Sequence, residues 1–200
     1  MMEVQPALIC IPDIKGFTEF MSDTKLELSA KVIPALLNDI IYTNSIGLKV
    51  SEIEGDAILF YLCGPPPALE DLVKQCYDFY TQFYEKVRIL NRKHEHHPDS
   101  DNIPDILGLK IIMHYGKIGV NQIGKRIKLI GEDVIIAHRL LKNSIPLEEY
   151  LLISDQLMEQ CQLNSKLETL LDEPVTRGSD DYEHIGVINY SYLNLKPLVA

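Results

Sequence analysis

Cysteine is scarce in this sequence, and its spacing excludes two classes of protein. The four cysteines, Cys10, Cys63, Cys76 and Cys161, lie far apart without a CxxC pair, so the pattern predicts neither a zinc ribbon nor a redox motif. We interpret them as reduced thiols, most of them in the core of a cytoplasmic protein. A chain of 200 residues buries enough surface to fold without a disulfide or a structural metal.

Long apolar runs and blocks of basic residues are also absent. The longest uninterrupted apolar stretches, such as 57–63, have the length of a strand and fall short of the ~20 residues that a membrane helix needs. The N-terminus lacks the basic region of an export signal. Nineteen Lys and Arg against 29 Asp and Glu leave a net charge of −10, the wrong sign for binding nucleic acid or an anionic membrane. We therefore expect neither partner, and a cytoplasmic location.

The hydrophobic pattern predicts an alternation of strands and helices. Short apolar runs predict strands, and apolar residues at helical spacing predict helices. The predicted strands are 6–12, 48–53, 57–62, 107–114, 118–123, 126–130 and 187–195, and the predicted helices are 18–44, 68–92, 131–142 and 155–161. Pro34 should break or kink the first helix, or divide it into two. Residues 94–105 are expected to form a loop, and 115–117 a turn between two strands.

The order of these elements predicts the fold class. It is β-α-β-β-α-β-β-α followed by a C-terminal extension over 144–200, which is typical of an α+β protein with a ferredoxin-like antiparallel sheet flanked by helices on one face. No linker or internal repeat divides the sequence. We expect a single domain covering residues 1–200.

Two carboxylates stand where predicted strands pass into turns. Asp13 follows the strand 6–12, and Asp56 lies in the turn after the strand 48–53. In an antiparallel arrangement they would meet and hold a hard divalent cation, because Mg²⁺ usually binds one or two carboxylates together with nucleotide phosphates. The alternative is that Asp13 caps a helix and Asp56 completes a hairpin.

A candidate phosphate-binding segment follows the first carboxylate. Gly16, Phe17 and Thr18 stand at a predicted helix start, where backbone N–H groups point at an anion. This placement predicts that the segment contacts the phosphates of a metal-bound nucleotide.

Four segments resemble the motifs of a known family, and they occur in its order. They are DIKGFT at 13–18, EIEGDA at 52–57, HYGKIG at 114–119 and GEDVIIAHRL at 131–140. Together they resemble the class III adenylyl/guanylyl cyclase catalytic domain, of which this chain would be a divergent member. The resemblance covers about residues 6–143.

The resemblance implies a reaction, a metal site and an assembly. In that family a head-to-tail dimer converts a nucleoside triphosphate to its 3′,5′-cyclic monophosphate, a phosphorus–oxygen lyase reaction. Two aspartates of one subunit, matched here by Asp13 and Asp56, hold two ions, Mg²⁺ or Mn²⁺, on the triphosphate. The resemblance therefore implies a homodimer that binds a nucleoside triphosphate.

Two further positions concern the choice of base. Glu52 stands four residues before Asp56, where guanylyl cyclases have glutamate, and Lys128 stands where the family has aspartate or cysteine. A glutamate accepts from guanine N1–H and the exocyclic amino group while a lysine donates to O6, so the pair favours GTP over ATP. Equally, Glu52 and Lys128 could form a salt bridge. Glu54 faces the same side of the strand as Glu52 and either adds a carboxylate to the metal site or faces solvent.

The last motif departs from the family at one position. Arg139 matches the arginine with which the other subunit of the family's dimer stabilises the phosphoryl transition state, but Ile135 occupies the position of an asparagine that orients the ribose. An isoleucine cannot hydrogen-bond a sugar, and a family lysine in a C-terminal strand has no secure counterpart. Two hypotheses follow: a nucleotide cyclase, or a catalytically degenerate homologue acting as a nucleotide-binding or dimerising regulatory module.

Overall fold

Strands and helices alternate through the part of the chain that the structure, a computed structural model, describes, residues 4–161 and 174–199. The strands are β1 (Val4–Lys15), β2 (Lys49–Glu54), β3 (Ala57–Cys63), β4 (Gly108–Ile123), β5 (Arg126–Ile130), β6 (Tyr150–Ser154), β7 (Thr176–Tyr182) and β8 (Gly186–Asn194). The helices are α1 (Phe17–Asp23), α2 (Leu26–Thr43), α3 (Leu69–Lys93), α4 (Asn102–Ile106), α5 (Glu132–Arg139) and α6 (Asp155–Gln160). Of the expected C-terminal extension, residues 162–173 lie outside the described residues.

The strands form a single sheet in the order β2-β3-β1-β4-β6-β8-β7, with β5 paired to β4. Neighbouring strands are antiparallel, except that β6 runs parallel to β4. This confirms the α+β class and a mainly antiparallel sheet flanked by helices. The predicted hairpin 48–53/57–62 and the helix 68–92 are confirmed as β2, β3 and α3.

The central strand β1 is buried on both faces, and this corrects the expectation that all helices lie on one side of the sheet. Leu8 and Cys10 face a core built with α2 and α3. Ile9 and Ile11 face a second core built with α5. Because successive strand residues point to opposite faces, a continuous apolar run indicates cover on both sides.

The first predicted helix is divided, but not at the proline. Residues 24 and 25 separate α1 from α2, and Pro34 lies inside the uninterrupted α2. Thr24 is extended and accepts a hydrogen bond from Asn102, and the Lys25 N–H donates to Asp99 at 3.0 Å. The break between α1 and α2 therefore lies where residues 24 and 25 form hydrogen bonds with residues 99 and 102, just before and at the beginning of α4. The prediction of a loop over 94–105 missed the short helix α4.

A single long strand replaces the two strands predicted around 115–117. β4 is continuous, and Gly116 is extended rather than turned. A side chain at Gly116 would overlap the Asp133 carboxylate at the start of α5, so this glycine permits close approach of a helix instead of making a turn. The turn comes at Gly124, whose φ is 64°, and it leads into β5.

The C-terminal part of the sheet contains two strands that the sequence analysis missed. β6 is fully buried between β4 and β8, and β7 is a polar edge strand. The buried Glu149, just before β6, accepts hydrogen bonds from the hydroxyls of Tyr80 (2.9 Å) and Tyr84 and from the Leu109 N–H. These bonds join α3 and β4 to β6. No helix among the described residues is long and apolar enough to cross a membrane.

Candidate functional site

A groove of about 880 Å³ opens between the β2–β3 hairpin, β5 and α5. It contains five of the eight site residues that the sequence singled out, which are Asp13, Asp56, Glu52, Lys128 and Arg139. Other lining residues are Glu54, Lys110, Ile130, Ile135 and His138. Residues distant in the sequence therefore meet in one cleft of a single chain.

The two predicted metal-binding carboxylates lie together at one end of this groove. Asp13 stands opposite Ala57 in the β1–β3 ladder, and the Ile14 N–H donates to the Asp56 carbonyl at 3.0 Å. Gly55, with φ 63°, makes the tight turn that places Asp56 beside β1. Burial, the Asp13 charge and a hydrogen bond with the Asp13 side chain raise the pKa of Asp56 to about 6. Such a raised pKa is typical of two carboxyl groups that share a site.

A lysine that the sequence analysis missed stands beside the first carboxylate. Lys110 on β4 is the ladder partner of Asp13, and its Nζ lies 3.0 Å from Asp13 Oδ2. Only the register of β1 against β4 reveals this pairing, because the two residues are far apart in sequence.

Glu52 and Lys128 form a salt bridge across the groove wall. Lys128 Nζ lies 2.8 Å and 2.7 Å from the two carboxylate oxygens of Glu52. The hydrogen bond with Glu52 raises the pKa of Lys128. Of the two alternatives for this pair, the structure contains the ion pair within one chain; the same two groups still line the groove.

A second carboxylate and a histidine adjoin this pair. Glu54 is half exposed, and its Oε2 lies 3.9 Å from Nδ1 of His138. One ligand atom from each of Glu52, Glu54 and His138 falls within 4.8 Å of the others. Glu54 thus faces the groove. The sequence analysis did not predict His138 as a groove residue, because only the packing of α5 shows that this side chain faces Glu54.

Helix α5 forms the apolar wall of the groove and carries its arginine. Arg139 and Ile135 both line the cleft, and Ile135 is 53% exposed. The beginning of α5 is held by Asp133, which accepts from the Lys117 N–H (2.6 Å) and lies 2.9 Å from Nε2 of His114. These contacts position Ile135 and Arg139, which follow Asp133 by two and six residues in the same helix.

The candidate phosphate-binding segment lies beside the groove. Gly16, Phe17 and Thr18 begin α1, and among the described residues none of the three lines the cleft. Gly16 has φ 80°, and a side chain there would overlap the Ile106 carbonyl. The Phe17 ring lies 3.9 Å from the position that a Cβ on Gly55 would take, so the segment contacts the hairpin that carries Asp56.

His114 forms a buried link from Asp133 to Ser154. Its two ring nitrogens lie 2.9 Å from Ser154 Oγ and 2.9 Å from Asp133 Oδ1. A serine, a histidine and a carboxylate in a row can form a nucleophilic triad. Here Ser154 is fully buried and its Oγ accepts from the Leu157 N–H to cap α6. The arrangement is structural, as expected of a histidine within the sheet.

Comparison with solved structures defines the class to which this fold belongs. The guanylyl cyclase Cya2 superposes with a TM-score of 0.70 at 17% identity, covering 96% of this chain and 93% of that one. The guanylate cyclase domain of RhGC from Catenaria anguillulae, in complex with GTP, gives 0.65 at 16% identity, covering 96% and 98%. The fold is that of the class III adenylyl/guanylyl cyclase catalytic domain.

Sequence comparison identifies the family within that fold. Residues 33–150 match the family model described as "Protein of unknown function (DUF2652)", and the chain belongs to this family. The uncharacterized protein Rv2561/Rv2562 of Mycobacterium tuberculosis is 28% identical over 162 residues, which cover 74% of this chain and 67% of that protein. The chain is thus a member of this family that has the fold of the cyclase catalytic domain.

Proposed function

We propose that this protein binds a nucleoside triphosphate with a divalent cation in the groove and converts it to a 3′,5′-cyclic nucleotide, with GTP favoured over ATP. The observation that carries this proposal is the pair of adjacent carboxylates, Asp13 and Asp56, which line a groove of about 880 Å³. A groove of this volume is within the range of small-molecule sites.

The donor set at the carboxylate pair fits a hard divalent cation. Asp13 on β1 and Asp56 in the adjacent β2–β3 turn offer oxygen ligands, and Mg²⁺ and Mn²⁺ prefer oxygen donors completed by phosphate oxygens. A bound ion there would neutralise triphosphate charge and acidify the hydroxyl that it contacts. In this proposal Gly16, Phe17 and Thr18, which lie beside the groove near Gly55, contact the part of the triphosphate that extends beyond the groove.

The opposite wall of the groove suits a nucleoside. Ile130 and Ile135 present apolar surface, and Glu52 and Lys128 offer a carboxylate acceptor and an ammonium donor. Guanine presents the complementary N1–H and amino donors and the O6 acceptor, whereas adenine reverses the pattern at its Watson–Crick edge. This chemistry supports the preference for GTP.

The proposed reaction needs charge stabilisation at one phosphorus. The ribose 3′-hydroxyl attacks the α-phosphorus, a new P–O bond forms, the bond to the pyrophosphate oxygen breaks, and the hydroxyl proton is released. Arg139 lines the groove of its own chain, and a guanidinium there would stabilise the negative charge on the phosphorane oxygens.

The proposal includes a head-to-tail homodimer. Two exposed isoleucines line the groove, Ile130 (47%) and Ile135 (53%), and two more are exposed on β2 and at the end of β4, Ile53 (50%) and Ile123 (63%). A grouping of exposed apolar side chains at a cleft is typical of an interface. In the dimer each groove would be closed by the partner subunit.

A second candidate function is nucleotide binding without turnover, and Ile135 favours it. This exposed isoleucine offers no hydrogen bond to a ribose, so one preorganised polar contact is absent from the proposed transition state. The protein would then act as a nucleotide-dependent regulatory module.

One experiment separates the two functions. The purified protein is incubated with each of ATP, GTP, CTP and UTP and Mn²⁺ or Mg²⁺, and the products are identified by mass spectrometry, with Asp13→Asn as the control. A cyclic product that the variant does not form would establish the cyclase and its base. Thermal stabilisation by GTP and Mn²⁺ without product would establish the binding module, and neither effect in dimeric, folded protein would refute both.

A further inference from the structure

Lys110 places a permanent positive charge on the carboxylate pair. Its Nζ lies 3.0 Å from Asp13 Oδ2, and the two side chains are only 22% and 12% exposed. They are ladder partners on the adjacent strands β1 and β4, so the backbone register holds them together. Both side chains line the groove beside Asp56.

This charge changes what the carboxylate pair can bind. A lysine ammonium is a compact point charge, and here it takes the position on Asp13 Oδ2 where a metal ion would otherwise lie. A divalent ion at the same oxygen would meet a cation at close range in a half-buried cleft, where charges are weakly screened. The two carboxylates and the lysine together carry one net negative charge, whereas the carboxylates alone would carry two. The lysine therefore weakens the attraction of the pair for a second divalent ion.

We propose that Lys110 fills one of the two cation positions at Asp13 and Asp56, so that the groove takes one divalent ion with its triphosphate instead of two. This inference rests on the proposed function and corrects the number of ions that the sequence resemblance implies. An ammonium has three N–H donors, and Asp13 uses one of them. The others are available to the phosphate oxygens that a second metal ion would have contacted.

The test counts Mn²⁺ ions. Electron paramagnetic resonance of free Mn²⁺ gives the number bound per chain in the presence of a non-hydrolysable GTP analogue. The wild type should bind one ion. Lys110→Met should bind two ions. The second ion should bind to this variant at least about a hundredfold more tightly than a second ion binds to the wild type, because a full positive charge has been removed at contact distance.

Two matched variants test whether the number of bound ions depends on the positive charge at position 110 in particular, or on any lysine of the groove. Lys110→Arg keeps the charge and should bind one ion. Lys142→Met removes a lysine from elsewhere in the groove lining and should also bind one, so a gain confined to Lys110→Met supports the inference.

The outcomes distinguish this inference from the proposed function. Two ions in the wild type would overturn the role of Lys110 and leave the metal–nucleotide site standing, and so would a single ion in folded Lys110→Met. No bound ion in the wild type would overturn both. The wild-type count requires no variant, so the inference remains falsifiable even if Lys110→Met does not fold.

Discussion

The ammonium of Lys128 contacts both carboxylate oxygens of Glu52, at 2.7 Å and 2.8 Å, and so joins β5 to β2 across the groove. The two side chains are 46% and 23% exposed, and ion pairs of this kind contribute only about 0–1 kcal/mol to stability. The pair therefore contributes little to the free energy of folding. Its main consequence is that a carboxylate and an ammonium line the groove.

Replacing the carboxylate of this pair should weaken GTP binding selectively. In Glu52→Gln we expect the apparent Kd for GTP to rise about 10-fold or more. A pair of hydrogen bonds from a side chain to a base contributes ~1–3 kcal/mol of discrimination against the wrong base. ATP binding should change little. The measurement is the nucleotide-dependent shift of Tm with Mn²⁺ present, and Glu54→Gln is the control. Equal losses for GTP and ATP would exclude base reading by Glu52.

Restoring a polar group at the ribose position should increase turnover. Ile135→Asn places an amide on the exposed groove face of α5, and a correctly positioned polar contact in the transition state is expected to raise kcat about 10-fold or more. Ile130→Asn is the matched control, since Ile130 is similarly exposed in the same groove. If both variants behave like the wild type, the transition state does not resemble that of the cyclases.

Removing the guanidinium of the groove should affect chemistry more than binding. Arg139→Ala should lower kcat by about 10²–10³-fold, the cost of losing one preorganised group that stabilises developing charge. The Kd for GTP should change by less than about 10-fold, because the charge on phosphorus develops only during the reaction. Steady-state kinetics and equilibrium binding measure the two effects, with Arg88→Ala on the exposed face of α3 as the control. A loss of binding equal to the loss of kcat would assign Arg139 to ground-state contacts.

The beginning of α5 should make stability depend on pH. Burial opposes ionisation of Asp133, but the hydrogen bonds from His114 and the Lys117 N–H outweigh it and lower its pKa below 3.8. A carboxyl group whose pKa is lower in the folded state stabilises that state at pH values above its unfolded-state pKa. This stabilisation is lost as the pH falls through the folded-state pKa. Asp133→Asn should therefore lower the free energy of unfolding by about 1–2 kcal/mol near neutral pH.

The difference between Asp133→Asn and the wild type should shrink below the ordinary aspartate pKa of 3.8. Urea unfolding across the acid range measures it. Asp105→Asn, an exposed position on α4, is the control. A difference that stays constant down to the acid limit would show that the contact is not charge-dependent.

Much of this fold could be predicted from the sequence because its elements have local signals. The glycine before Asp56 predicted the tight turn that Gly55 makes. The apolar run before Asp13 predicted a strand, but its expected end at Asp13 was wrong, because pairing with β4 continues β1 to Lys15. The amphipathic spacing of α3 predicted that helix within one residue at each end. β7 had no such signal, because an edge strand of mostly polar residues lacks the alternation that marks a half-buried strand.

What the sequence by itself determined was the set of chemical groups, their order and most of the elements that carry them, since propensity and periodicity act over a few residues. Only the tertiary structure decided which groups meet. The register of β1 against β4 places Lys110 on Asp13, and the approach of β5 to β2 pairs Lys128 with Glu52. The absence of a side chain at Gly116 lets Asp133 and the beginning of α5 approach β4 closely. Each is a contact between residues distant in the chain, and such contacts are fixed by packing and strand pairing across the whole sheet.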